Sequence, residues 1–153
     1  MAQSTEILPN GLQLLQDDRF FKLGQDSVLL SAFAKPRRNA KLLDLGCGTG
    51  ALALLVWRPD LTITGLELQD GPLDLFRQSI AANELENVTA LQGDLRQMRT
   101  LLPHGSMDYV ICNPPYFDRN AGANAPTAEK RTARQDATCS VEELAVRRLQ
   151  EGV

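Results

Sequence analysis

The stretch Lys41-Leu42-Leu43-Asp44-Leu45-Gly46-Cys47-Gly48-Thr49-Gly50 decides the fold. An apolar run closes on a carboxylate, three alternating glycines follow, and residues 51–57 are apolar and helix-forming. That succession reads as strand, tight turn, helix. Gly46, Gly48 and Gly50 let the chain turn sharply and leave the backbone open to a ligand, because no Cβ stands in the way. Working outward, a second strand at 61–66 ends at Glu67, with Leu68 beside it. This is about the twenty-residue distance at which a nucleotide-binding βαβ unit places its ribose-binding acid. A third strand at 88–92 runs into Gly93-Asp94-Leu95. Asp94 there can accept from an adenine amino group while Leu95 packs on the ring, or it can simply cap the helix beginning at Arg96.

Glycine-rich turns also serve as plain strand-to-helix connections, so the turn alone does not name a ligand. Glu67 shifts the balance towards a nucleotide-like cofactor. Asp44 then selects among cofactors: a carboxylate just before the glycines repels a dinucleotide pyrophosphate but suits the amino group and sulfonium of S-adenosyl-L-methionine. The expected cofactor is therefore S-adenosyl-L-methionine, held by Asp44, Gly46, Cys47, Gly48, Gly50, Glu67, Leu68, Asp94, Leu95 and Asn113.

About sixty residues past the glycines, the strand pattern at 107–112 ends in Asn113-Pro114-Pro115-Tyr116. Proline fixes its own φ and has no N–H, so the pair holds the Pro114 carbonyl rigid. The Asn113 amide oxygen and that carbonyl can accept both hydrogens of an exocyclic amine, which turns the nitrogen lone pair towards an electrophile. Tyr116 offers a face on which a base can stack, and Phe117 extends it. As a bare tetrapeptide this is also a stiff turn, but the glycine turn and Glu67 upstream make the catalytic reading the better one. Asn113, Pro114, Pro115 and Tyr116 are the expected catalytic set.

With these motifs the chain resembles the class I S-adenosylmethionine-dependent methyltransferases carrying an Asn-Pro-Pro-Tyr motif. Gly24-Gln25-Asp26-Ser27-Val28-Leu29-Leu30, the turn at 44–50, residues 112–117 and Arg131-Thr132-Ala133-Arg134 are similar to the bacterial tRNA-valine adenine-N6 methyltransferases. The resemblance implies an α/β Rossmann-like fold, a mostly parallel sheet with flanking helices, and methylation of adenine N6 beside a tRNA anticodon. It also implies that the segment around Asp26 closes over the cofactor, making Asp26 a further binding residue, although the same pattern suits a plain packing helix. The resembled fold carries seven strands. Only four core strands are evident here, so the chain is expected to be a fragment or a shortened paralogue, or else a partner or a second copy covers the open sheet edge.

At 153 residues with 43% hydrophobic content the chain suits one core. Cys47, Cys112 and Cys139 have no Cys-x-x-Cys spacing, and His104 stands alone, so neither a metal site nor a disulfide framework is expected. An odd cysteine count without a signal-like N-terminus suggests a cytoplasmic protein. No apolar run reaches the roughly twenty residues of a membrane span. A net charge of -3 opposes a general nucleic-acid footprint, so tRNA contact would have to be local. Arg131 and Arg134 can clamp a phosphate beside the target base, or belong to a solvated, ion-paired loop.

Two units are expected: an N-terminal hairpin and cofactor-covering helix over 1–35, and the cofactor-binding domain over 36–153. The hairpin is placed within 7–23, and a helix capped by Asp26 over 27–35 with Leu29, Leu30 and Phe33 on one face. Leu73, Phe76 and Ile80 mark a core-facing helix over 73–84. Residues 122–127 read as a loop, and a last helix starts at Ser140. Three other functions share parts of this pattern: a protein glutamine-N5 methyltransferase, a non-catalytic cofactor-binding or interaction module, and, least well supported, an NAD-dependent oxidoreductase.

Overall fold

The computed structural model describes residues 2–113. The expected roles of Pro114, Pro115, Tyr116, Phe117, Arg131 and Arg134, the loop at 122–127 and the helix from Ser140 lie outside the described residues. Within them, β1 (Gln3–Ile7) and β2 (Gln13–Asp17) form an antiparallel hairpin, followed by α1 (Gln25–Phe33). Then β3 (Lys41–Leu45), α2 (Ala51–Leu55), β4 (Thr62–Glu67), α3 (Asp70–Ala82), β5 (Val88–Gln92), a 3-10 turn (Leu95–Gln97), α4 (Met98–Leu101) and β6 (Tyr109–Cys112) alternate. The four later strands make one parallel sheet in the order β5-β4-β3-β6. This is a Rossmann-like arrangement with β3 central.

Parallel strands flanked by helices read as continuous apolar runs, and β3 does: Leu42, Leu43 and Leu45 are buried. One face of the sheet packs Leu42 and Ile63 against α2 and α3 through Leu52, Leu54, Leu73 and Phe76. Leu43, Leu45 and Leu66 pack on the other face against Met98 of α4. Leu8 and Leu14 of the hairpin belong to the first of these cores. Register between β3 and β6 is pinned at their starts: Asp108 accepts from the Lys41 N–H at 2.8 Å and from Arg37 at 2.7 Å, while its own N–H donates to the Lys41 carbonyl at 2.7 Å.

Several boundaries depart from the sequence pattern. The hairpin begins at Gln3, ahead of the 7–23 window, because β1 is exposed along its whole length and has no alternating apolar signal. The outer edge of β2 meets side chains of α3 and of its C-cap: Leu15 N–H donates to Ser79 Oγ at 2.9 Å, and Gln13 N–H to Asn83 Oδ1 at 2.8 Å. α1 starts two residues earlier than expected, with extended Gly24 at its cap position and Asp26 inside the first turn, so Asp26 does not cap it. Leu29 and Phe33 are exposed, and α1 buries no residue completely. α3 also starts earlier, at Asp70, and carries the expected Leu73 and Phe76 into the core.

Candidate active site

In parallel α/β sheets, ligands bind outside the carboxyl ends of the strands, and most of the candidate residues collect there. Leu45 of β3 pairs with Leu66 of β4 on one side and with Cys112 of β6 on the other. The residues just beyond, Gly46 and Asn113, therefore leave adjacent strand tips roughly 4.8 Å apart in the pairing direction. Glu67 ends β4 on the other flank of the loop.

The glycine loop is held from below. Cys47 N–H donates to the Leu66 carbonyl at 3.0 Å, and Gly48 N–H donates to Glu67 Oε1 at 3.0 Å. Gly50 adopts φ 88°, and a Cβ there would lie 2.0 Å from the Phe76 ring, so α3 packs directly beneath the turn. Gly48, at φ 56°, has open space where a Cβ would stand, and Gly46 does too. One glycine is required by packing; the other two line a space that a ligand can enter. The Cys47 side chain faces inward, 8% exposed, with burial raising its thiol pKa well above the ordinary value. Its backbone is engaged as well, the carbonyl accepting from Gly50 N–H at 2.9 Å.

Two carboxylates face this region. Asp44 is 1% exposed and its Oδ2 has no hydrogen-bond partner among the described residues. Burial pushes its pKa up to about 8, with the Ala53 N–H opposing and the Glu67 charge reinforcing the shift. Glu67 accepts from Gly48 and, through Oε2, from Gln69 N–H at 2.9 Å. Burial still raises its pKa, against the pull of the Gln69, Gly48 and Leu68 N–H groups. A carboxylate has about four acceptor positions, so with these three N–H groups in place Glu67 retains capacity for a ribose hydroxyl. An orphaned buried carboxylate oxygen, a second desolvated acid and an open glycine cradle fit a cationic nucleoside cofactor, which supplies the missing positive charge.

The β5 side is set further out. Gly93 N–H donates to the Glu67 carbonyl at 3.0 Å, bringing the β5 tip beside β4. Asp94 caps the 3-10 turn by accepting from Arg96 N–H at 2.9 Å and pairs with the Arg96 guanidinium at 2.5 Å, so the capping alternative is realised. Leu95 packs against the second core, whereas Leu68 is 43% exposed at the β4 tip. Asp26 is exposed on the first turn of α1.

One residue that sequence reasoning missed lies next to it. Ser27 Oγ accepts from Asn113 Nδ2 at 3.1 Å across 86 positions of chain. A small polar residue directly after Asp26, at the head of an otherwise apolar helix, was the local signal.

Residues 24–137, most of the chain, match the family model described as "Methyltransferase small domain". The chain belongs to this family. It is 36% identical over 105 residues to the tRNA1(Val) (adenine(37)-N6)-methyltransferase of Pseudoalteromonas translucida (strain TAC 125), covering 67% of this chain and 44% of that one. With the protein of the same name from Shewanella sp. (strain W3-18-1) it shares 35% over 123 residues, 78% of this chain and 50% of that one. This methyltransferase-family chain thus spans about half the length of the curated relatives it matches. Among solved structures, the M. jannaschii tRNA m1G37 methyltransferase superposes with a TM-score of 0.59 at 18% identity, over 78% of this chain and 37% of that one. P. horikoshii TYW2 in complex with MeSAdo gives 0.56 at 17%, over 71% and 41%. Both share the fold. Among the described residues no helix is long and apolar enough to cross a membrane.

Proposed function

We propose that this protein transfers a methyl group from S-adenosyl-L-methionine to an exocyclic amino nitrogen, adenine N6 of a tRNA. The observation that carries the reading is the parallel pairing of β3 with β6, which sets Asn113 beside the glycine loop at the same end of the sheet. The names of the curated relatives support adenine N6 and tRNA as the acceptor. In this reading Asp44 neutralises the cationic part of the cofactor, Gly46 and Gly48 receive its backbone-facing edge, and Glu67 accepts from the ribose. Leu68 and Asp94 flank the adenine. When bound, the cofactor supplies an electrophilic methyl on a sulfonium sulfur.

The chain's own contribution is position and charge. Asn113 Oδ1, with the Pro114 carbonyl, accepts from the amino group and points its lone pair at the methyl, while Tyr116 and Phe117 support the base. As the nitrogen gains its fourth bond it becomes cationic, and the two acceptors stabilise that charge where it forms. The proton then leaves to solvent, and no covalent intermediate on the protein is required. Arg131 and Arg134 take a phosphate flanking the target.

Incubation with radiolabelled S-adenosylmethionine, RNA and a cell protein fraction tests this. Label in RNA, lost in Asn113→Ala with cofactor affinity preserved, is the expected result. Label confined to protein glutamine would replace the acceptor, and binding without any transfer would leave only a cofactor-binding module.

A further inference from the structure

We infer that Ser27 is a positioning residue for Asn113, and that α1 is a strut that sets the catalytic amide at the tip of β6. The inference rests on the proposed role of Asn113, and it concerns what aims that side chain.

α1 is tied to β6 at both ends. At its head, Asn113 Nδ2 donates to Ser27 Oγ at 3.1 Å; just past its tail, Lys35 N–H donates to Tyr109 Oη at 3.2 Å. The six helical steps from Ser27 to Phe33 span roughly 9 Å, two residues past the helix end lead on to Lys35, and the four-residue strand step from 109 to 113 spans roughly 13 Å. The two ties mean that α1 runs antiparallel to β6, from its tip back to its start. Packing holds α1 against α2, with Leu30 on the core, but no residue of α1 is fully buried and Leu29 and Phe33 are 58% and 79% exposed, so the two polar ties to one strand add to a modest apolar hold.

The head tie decides which part of Asn113 faces the crevice. An asparagine amide presents two donors on nitrogen and two acceptor positions on oxygen, and a 180° rotation about χ2 exchanges them. Methyl transfer to an amine needs the oxygen turned towards the substrate, because a donor there would compete for the nitrogen lone pair. With Nδ2 engaged by Ser27, Oδ1 is the limb left to the reacting amine. Asp26 precedes Ser27 on the same turn, so a cofactor that engages Asp26 also steadies the residue that aims Asn113.

The test is a double-mutant cycle in the intact chain. Ser27→Ala is expected to lower kcat about tenfold, the equivalent of one lost hydrogen bond, with cofactor affinity and thermal midpoint little changed. Ser27→Thr keeps the hydroxyl and restores most of the rate. In an Asn113→Ala background, Ser27→Ala has no further effect, because the group it aims is gone. Equal losses in both backgrounds, or no loss in the wild-type background, would overturn the inference. Side-chain amide NMR of Asn113 gives a readout that does not need turnover: Ser27→Ala shifts the Nδ2 proton resonances and speeds their exchange with water. Unchanged resonances overturn the positioning role even if the enzyme is active. Absence of methyl transfer by the wild-type protein, with the resonances shifted, would instead reject the proposed reaction and leave the contact standing.

Discussion

Replacing Asp44 by asparagine should make the cofactor-free domain more stable and less able to bind, with a pH signature set by burial of the carboxylate. In the unfolded chain Asp44 titrates at the ordinary 3.8; in the fold, burial pushes it up to about 8. Below 3.8 the group is protonated in both states and contributes nothing. As pH climbs towards 8 the unfolded chain ionises while the folded one does not, so stability falls by about 1.4 kcal/mol per unit. Above the folded value both states ionise and the loss is complete. Between pH 5 and pH 8 the interval of about three units corresponds to a penalty on the order of 4 kcal/mol. Asparagine does not titrate, so Asp44→Asn should gain on wild type by that amount across the same interval. Its amide also has to be buried, but that cost is independent of pH and drops out of the slope. Urea unfolding at pH 5, 6, 7 and 8 measures the difference directly. A stability difference that stays flat over this range would refute the argument that the Asp44 carboxylate is desolvated in the free protein.

The same carboxylate links cofactor binding to protons: at pH 7 it is mainly protonated when free, and ionises against a cation. Calorimetry in buffers of different ionisation enthalpy should show wild type releasing close to one more proton on binding than Asp44→Asn. Gly50→Ala should destabilise the fold by about 3 kcal/mol or more in thermal unfolding, since a Cβ 2.0 Å from Phe76 at φ 88° has no room. Gly48→Ala meets no neighbour, so it should cost only about 1 kcal/mol of stability yet weaken cofactor binding about tenfold in titration. Glu67→Gln leaves one acceptor oxygen for the Gly48 and Gln69 N–H groups, and should lower cofactor affinity about tenfold with kcat much less affected.

Much of the frame was legible because its signals are local. Lys41–Leu45 is an apolar run between a charged start and a glycine turn, and nothing but a buried parallel strand satisfies that pattern together with the strand–helix repeat that follows. The strand ends then placed Glu67 and Asn113 at one edge of the sheet without further information. β1 was misplaced because Gln3–Ile7 is exposed throughout and is held by pairing with β2, which leaves no period to read. Leu29 and Phe33 have helical spacing, but spacing reports a stripe and not whether a surface covers it. The role of Ser27 was hidden for a different reason: its partner is 86 residues away, and only the antiparallel course of α1 along β6 brings them together. Asp94 had two readings from sequence, and Arg96, read there only as the start of a helix, engages its carboxylate.

The central claim is that the sulfonium methyl and the β6 amide address one nitrogen between them. A crystal structure of the protein with intact S-adenosylmethionine measures this most directly. An amine about 3–3.5 Å from the methyl carbon and about 2.9 Å from its acceptor requires that carbon to lie within about 6.5 Å of Asn113 Oδ1. That separation, with the oxygen turned to the methyl, is the predicted result. A methyl group more than about 10 Å away, or on the opposite side of the β3–β6 tips, cannot share a nitrogen with Asn113 and would contradict the account.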